Sequence, residues 1–309
     1  MVNLLPALTA TKGLRGRQIL SDAFLQYFQT GGLKDGSLFA QNRFASWTKH
    51  DLTLEDIARF EVVTLIGTLT STIRTVTWML YHTYSNPHIL MDLREEIPAV
   101  MTTSITPQGT LTRTLDITRL RANCPILGSL FQEVLRCHAL GTSVRQVMRD
   151  TFLENKYLLK KDSIVLMPST VVHSDPTYWG PTVSSFNHKR FLRHAPGPKS
   201  SSTQHKAPSP SAFRGFGGGT TLCPGRHFAT TTTMAVTIMF VMRYDVVPAD
   251  GGRWPKMTGE KTHAISAVEQ PDSEVEVEVW GRREFEEGEW AFRLDNSDVV
   301  FATAAEDQE

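Results

Sequence analysis

A mainly α fold with a small β region follows from three features of this 309-residue sequence. Apolar residues recur at helical spacing over long stretches up to His138. Short alternating segments punctuated by Asp150, Asn155 and Asp162 then take over. A glycine-rich turn, Phe216 to Gly225, precedes one more helical stretch.

The elements follow in order. From Gly13 to Trp47 the pattern is helical but broken at Gly31, Gly32, Asp35 and Gly36, which predicts short helices joined by a turn. Thr53 followed by Asp56 has the spacing of a capping box, and the apolar run from Ile57 predicts one long helix to about Tyr84. Ser85 with Pro87 is expected to cap the next helix, through about Val100, and Pro125 to start another, from Ile126 to His138. Strands are expected over Val144 to Met148, Thr151 to Leu153 and Tyr157 to Met167. His194 to Ser211 reads as a Pro/Ser-rich surface loop. A helix to Tyr244 follows the glycine-rich turn, then a strand-rich tail containing Glu274 to Trp280 and Trp290 to Ala302. There is no internal repeat, and residues 1–309 are expected to form a single domain.

Composition excludes some classes of function. With 40% hydrophobic and 21% charged residues the chain is globular and not disordered. Lys plus Arg equals Asp plus Glu at 32 each, so no global field draws it to nucleic acid or an acidic membrane, and a small neutral or apolar partner fits better. Three cysteines, Cys124, Cys137 and Cys223, at wide spacings argue against a disulfide framework and for a reducing compartment. The apolar patch before Pro6 is too short for a membrane span, and Val62 to Tyr81 contains Arg74 and many threonines, as a core helix would. The chain is therefore expected to be soluble or peripherally held.

Chemistry concentrates in Phe216-Gly217-Gly218-Gly219-Thr220-Thr221-Leu222-Cys223-Pro224-Gly225. Glycines let backbone approach a flat cofactor, and backbone N–H groups can stabilise a thiolate. An isolated Gly-x-Cys-x-Gly is usually a turn with a small buried cysteine. A phosphate loop is excluded, because no Gly-Lys-Ser/Thr follows. The spacing of Phe216, Gly219, Cys223, Gly225 and Ala229, however, resembles the haem-binding signature of the cytochrome P450 family, fungal-type, position by position. That resemblance implies thiolate-ligated haem, with Cys223 as the iron ligand. Phe216 could shield the sulfur, and Gly217, Gly219 and Gly225 shape the turn. Thr221 stands where the family usually has a basic residue.

Glu133 and Arg136 share one face of a predicted helix. Alone, such a pair is usually a solvated contact. Here it resembles the family's Glu-x-x-Arg motif, and Phe186 to Phe191 resembles the segment that supplies a third member, Arg190. The implied role is structural, a carboxylate held between two guanidinium groups that pins the thiolate loop. Arg145 matches a position where family members place an arginine on a haem propionate; the alternative is an exposed strand charge. His173-Ser174-Asp175-Pro176 and Trp179-Gly180 match another family segment, expected to be a turn without chemistry. His227 and Cys137 have no partner at metal-ligand spacing.

In Gly67-Thr68-Leu69-Thr70-Ser71-Thr72, hydroxyls lie within an apolar helix, where they commonly bond a carbonyl one turn back. The segment resembles the family's oxygen-activation helix, whose acid–threonine pair delivers protons. Thr72 takes the threonine position and Ser71 replaces the acid, as in the subgroup containing sterol 7-alpha-hydroxylases and prostacyclin synthase.

The resemblance runs from about Leu54 to the carboxy terminus, so the chain corresponds to the later part of the family fold, with the amino-terminal part missing. It implies a monooxygenase that oxidises a lipophilic small molecule, in secondary metabolism or sterol and lipid oxidation. Molecular oxygen would be the oxidant, NADPH-cytochrome reductase the electron donor, and nucleic acid no partner. A full-length family member would sit at the endoplasmic reticulum membrane; no anchor is evident here. Two alternatives stay open. Ser71 favours a haem-thiolate isomerase or dehydratase, and the missing region favours a non-catalytic fragment.

Overall fold

Helical periodicity in the first part of the chain becomes helix in the computed structural model, which describes residues 6–192, 210–262 and 266–294. The chain divides into two compact units, Met1–Thr70 and Ser71–Glu309.

The first unit holds α1 (Pro6–Thr9), α2 (Thr11–Gln29), α3 (Leu38–Thr48) and the start of α4 (Leu54–Ser85). Ser37 caps α3 by accepting the Ala40 N–H at 3.3 Å, an economical use of one orphan donor at a helix start. Thr53 caps α4: its hydroxyl accepts the Asp56 N–H at 3.2 Å and donates to the Asp56 carboxylate at 2.8 Å. Ile57, Ala58 and Val62 are buried, and Phe28 packs on Phe44 and Trp47 on Phe60 with centroids 4.9 and 5.0 Å apart. The nearly buried Glu61 pairs with Arg43.

The second unit continues with α5 (Pro87–Glu96), β1 (Met101–Ile105), β2 (Leu111–Asp116), α6 (Leu120–Asn123) and α7 (Pro125–His138). Next come β3 (Thr142–Gln146), β4 (Thr151–Leu153), β5 (Tyr157–Leu159), β6 (Ile164–Pro168), α8 (Ser169–His173) and α9 (Pro176–Trp179). It ends with α10 (Arg226–Arg243), β7 (Tyr244–Pro248), β8 (Val277–Gly281), α11 (Arg283–Glu286) and β9 (Glu289–Arg293). The core is helical: Trp78, Leu93, Leu130, Phe131, Met234 and Ile238, from α4, α5, α7 and α10, lie in one buried cluster. The sheets are small. β2 pairs antiparallel with β1 and parallel with β9, and β3–β6, β4–β5 and β7–β8 are antiparallel pairs.

Several boundaries differ from expectation for local reasons. Asn86, not Ser85, caps α5, accepting the His88 N–H at 3.1 Å, while Ser85 still belongs to α4. α5 stops at Glu96 and residues 97–100 form a tighter turn around Pro98, which cannot continue the α-helical hydrogen bonding. The expected strand from Tyr157 to Met167 splits into β5 and β6 at a turn where Asp162 has φ 66°. The hairpin β1–β2 was not legible as strand in advance. The Pro/Ser-rich loop lies, except for its last two residues, outside the described residues, as does the tail strand beyond Leu294.

Two contacts fix α7. Glu96 of α5 receives the Ile126 and Leu127 N–H groups at its amino-terminal end, at 2.9 and 2.6 Å. At the other end His138 stacks on Trp78 with centroids 3.7 Å apart and meets Glu269 through Nδ1 at 2.8 Å. His138 Nε2 lies 2.9 Å from Nε2 of His82, which stacks on Phe186. The Glu269 carboxylate accepts from His138 Nδ1–H, which leaves His138 Nε2 to accept from His82.

Candidate functional site

Glu133, on the buried face of α7, is 0% exposed. Arg136 meets it with a two-pronged contact, Nε at 2.8 Å and one terminal nitrogen at 2.9 Å. Arg190 Nε lies 3.1 Å from both carboxylate oxygens, and the Asn187 N–H adds a bond at 2.9 Å. The predicted cluster of Glu133, Arg136 and Arg190 thus assembles around one buried carboxylate. Burial alone would lower the pKa of Arg136, but the bonds to Glu133 outweigh it and hold the guanidinium above its ordinary value. Both arginines also bind carbonyls: Arg136 that of His173 at 2.9 Å, and Arg190 those of Trp179, Thr182 and Ser185. The cluster therefore gathers α7, α8, α9 and the segment through Arg190.

The turn bearing Cys223 is built by its own backbone. The Cys223 N–H donates to the Phe216 carbonyl at 3.0 Å, and the Gly217 N–H to Arg214 at 3.1 Å. Gly217 and Gly219 have φ of 82° and 61°, values that disfavour any residue with a Cβ. Phe216 packs against the core with its ring 6.1 Å from that of Phe131, just ahead of Glu133 on α7. Gly225 precedes α10, which carries the chain away from the turn. Cys223 is a free, half-buried thiol. The other two cysteines are closed off differently: burial, first in each case, pushes Cys124 and Cys137 up to about 12, so both stay protonated. Among the described residues no cluster of three or more His, Cys, Asp or Glu could hold a metal ion.

Arg145 of β3 reaches this turn. One terminal nitrogen donates to the Thr221 hydroxyl at 2.8 Å and to the Gly218 carbonyl at 3.4 Å. The half-buried guanidinium thus lies on the flank of the Cys223 turn, and Thr221, which carries no charge, holds it there. A cysteine sulfur, a glycine turn without bulky side chains and one adjacent cation are the donor set that a haem with carboxylate edges requires, so the residues present fit that group.

Ser71 and Thr72 make no side-chain hydrogen bond to the turn. Their helix shows the back-bonding expected of hydroxyls in an apolar helix. Thr64, Thr68, Thr70, Thr75, Thr77 and Thr83 each donate to the carbonyl four residues earlier. The Thr72 hydroxyl alone among the threonines within α4 has no partner among the described residues.

His173 was expected to sit in a turn without chemistry. The structure places His173 at the end of α8, just before the Ser174 turn, at 2% exposure, and its Nε2 accepts the Arg214 N–H at 2.8 Å. Burial first, then the Arg136 charge, push it down to about 4. No periodicity or spacing signals this role, because the partner atom is a backbone amide.

No helix among the described residues is long and apolar enough to cross a membrane. A family model described as Cytochrome P450 matches residues 34–274. A protein named Cytochrome P450 monooxygenase nodJ, from Hypoxylon pulicicidum, is 35% identical over 302 residues, which cover 97% of this chain and 58% of that protein. A Cytochrome P450 monooxygenase from Gibberella zeae is 26% identical over 83% of this chain and 49% of its own length. A Cholesterol 7-alpha-monooxygenase from Cricetulus griseus is 25% identical over 63% of this chain and 40% of its own. The chain thus spans about half the length of the curated relatives it matches.

Proposed function

Because the chain belongs to the cytochrome P450 family, whose cofactor is thiolate-ligated haem, we propose that it supplies the Cys223 side of a haem site that oxidises a lipophilic small molecule. Molecular oxygen is the oxidant, and a separate NADPH-dependent reductase the electron source. The observation that carries this is the free Cys223 thiol, held on a glycine turn that Arg145 meets, in a unit that also holds the buried Glu133 cluster. When bound, the haem supplies the one-electron and oxygen-activating chemistry. The protein's part is to hold and to move protons. Cys223 would supply the sulfur ligand, Arg145 would pair with a carboxylate edge, and Phe216 would shield the sulfur. Among the described residues Thr72 has the one α4 threonine hydroxyl without a partner and so free to carry a proton, its neighbours being tied to backbone. The apolar nature of the substrate is supported by the names of relatives such as the Cricetulus griseus cholesterol enzyme.

A second activity, rearrangement of an already oxygenated substrate, is favoured by Ser71, which cannot supply the acid of an acid–threonine pair. Product analysis with and without reductase separates the two. The test of the site itself is the spectrum of the ferrous CO complex of the haem-loaded protein. Thiolate ligation should red-shift it, and Cys223→Ser should abolish that shift even where haem stays bound. A red-shifted band that survives in Cys223→Ser removes Cys223 as the ligand.

A further inference from the structure

His173 joins the two assemblies on which the Cys223 turn depends. Its carbonyl accepts from Arg136 at 2.9 Å, and its Nε2 accepts from the Arg214 N–H at 2.8 Å. The chain of bonds then continues: the Gly217 N–H donates to the Arg214 carbonyl at 3.1 Å, and the Cys223 N–H to the Phe216 carbonyl at 3.0 Å. The ring lies nearly parallel to Phe213, centroids 5.8 Å apart, and edge-on to Trp179 at 6.2 Å. Nε2 accepts only while it bears a lone pair, so the imidazole is neutral with its proton on Nδ1. Nδ1 is buried with no hydrogen-bond partner among the described residues. Among the described residues the backbone amide of Arg214 is thus the only hydrogen-bond partner of the imidazole.

We propose that His173 is a positioning residue, whose neutral imidazole is the joint through which the Glu133–Arg136–Arg190 cluster holds the turn that carries Cys223. The importance of that turn rests on Cys223 being the haem ligand; the joint itself does not. A proton taken from solvent onto Nε2 turns the acceptor into a donor facing another donor, and the Arg214 amide is released. The charged groups that face the ring are Arg136 from α7 and Arg214 from the segment leading into the turn, both cations, while Trp179 and Phe213 present aromatic faces. Burial and these cations keep the ring neutral until about pH 4, so the turn is anchored at neutrality and released in acid.

Two substitutions separate the acceptor from the ring shape. His173→Phe keeps a flat ring but offers no lone pair, whereas His173→Gln places an oxygen near the Nε2 position and does not titrate. Amide hydrogen exchange of the full chain, read by mass spectrometry on peptides spanning Arg214 to Cys223, needs no cofactor. In the parent protein, exchange corrected for intrinsic rate should be slow at about pH 6.5 and rise as the pH falls through about 4. His173→Phe should exchange about tenfold faster or more at both pH values, as expected for a buried amide left without an acceptor. His173→Gln should stay slow at both. Peptides from β1 and β2 report global unfolding; if His173→Phe loses protection there too, His173→Gln decides. Unchanged protection in His173→Phe, or an acid step in His173→Gln equal to that of the parent, overturns the proposal. A chain that meets these expectations yet never shows a thiolate-type CO spectrum refutes the haem assignment and leaves the joint standing.

Discussion

Arg136→Ala is the most demanding perturbation of this structure. It removes both bonds to the Glu133 carboxylate, at 2.8 and 2.9 Å, and the donor to the His173 carbonyl at 2.9 Å. Glu133, 0% exposed, keeps Arg190 and the Asn187 N–H, so the loss falls at the lower end for a broken buried pair, about 3 kcal/mol. The His173 carbonyl, left without its arginine donor, adds about 1 kcal/mol. A total of about 4 kcal/mol is a large part of an ordinary domain stability of about 5–15 kcal/mol. Urea unfolding followed by far-UV circular dichroism should show a midpoint lowered by at least about 1 M, for a slope of about 1–3 kcal/mol per molar. Arg136→Lys, which keeps the charge but not the planar fork, should fall between the two. A loss in Arg136→Ala below about 1 kcal/mol, the range of exposed pairs, would refute the claim that this cluster braces the fold.

Thr72→Ala should lower product formed per electron consumed in the loaded, reductase-supported enzyme and leave the CO spectrum unchanged. Thr75→Ala, whose hydroxyl is already bound to Ser71, should not alter that ratio, and an unchanged ratio in Thr72→Ala excludes it as proton carrier. His82 is pushed down to about 3 by burial first and His138 second, from an ordinary 6.5, so the unfolded chain binds a proton that the folded chain refuses. Its contribution to stability is full above about pH 6.5 and is lost as the pH falls toward about 3. His82→Gln should therefore flatten the acid arm of the stability curve, with His173 and the lowered carboxyls of Asp92, Asp175 and Asp272 supplying what slope remains, and an acid arm as steep as before would count against a neutral buried His82.

Legibility tracked the kind of atom involved. Helix α7 and strand β4 were readable almost to the residue, because a proline start, apolar periodicity and flanking Asp and Asn are local signals. The Glu133, Arg136 and Arg190 cluster and the Cys223 turn were readable only through their resemblance to family motifs, since spacing alone favoured a solvated pair and a plain turn, and the structure brings the three cluster residues together and closes the turn on its own backbone. The cap on α7 was not readable, since Glu96 comes from another helix and meets backbone amides of Ile126 and Leu127. The contact of His173 with the Arg214 amide was unreadable for the same reason. β1 and β2 have Thr-rich sequences around Pro107 and Gly109 that give weak period-two signal, and only pairing across the sheet defines them. The difference between Thr72 and the other α4 threonines is one of hydrogen-bond bookkeeping, which composition cannot show.

The parallel pairing of β2 with β9 also has a consequence for the order in which the chain matures. Thr112 lies opposite Glu289, so one strand waits for another that follows much later in the chain. Until then β2 has an open edge, and Arg113, 8% exposed in the finished fold, lacks the carbonyls of Glu284 and Glu287 and the Phe285 ring that receive it. Contacts of such long sequence separation form slowly, because a large loop must close before they give any return. The helical core of α5, α7 and α10 can condense first, with the sheet sealed last, and the interval between the two is when a nascent chain is most exposed to mispairing with another copy of itself.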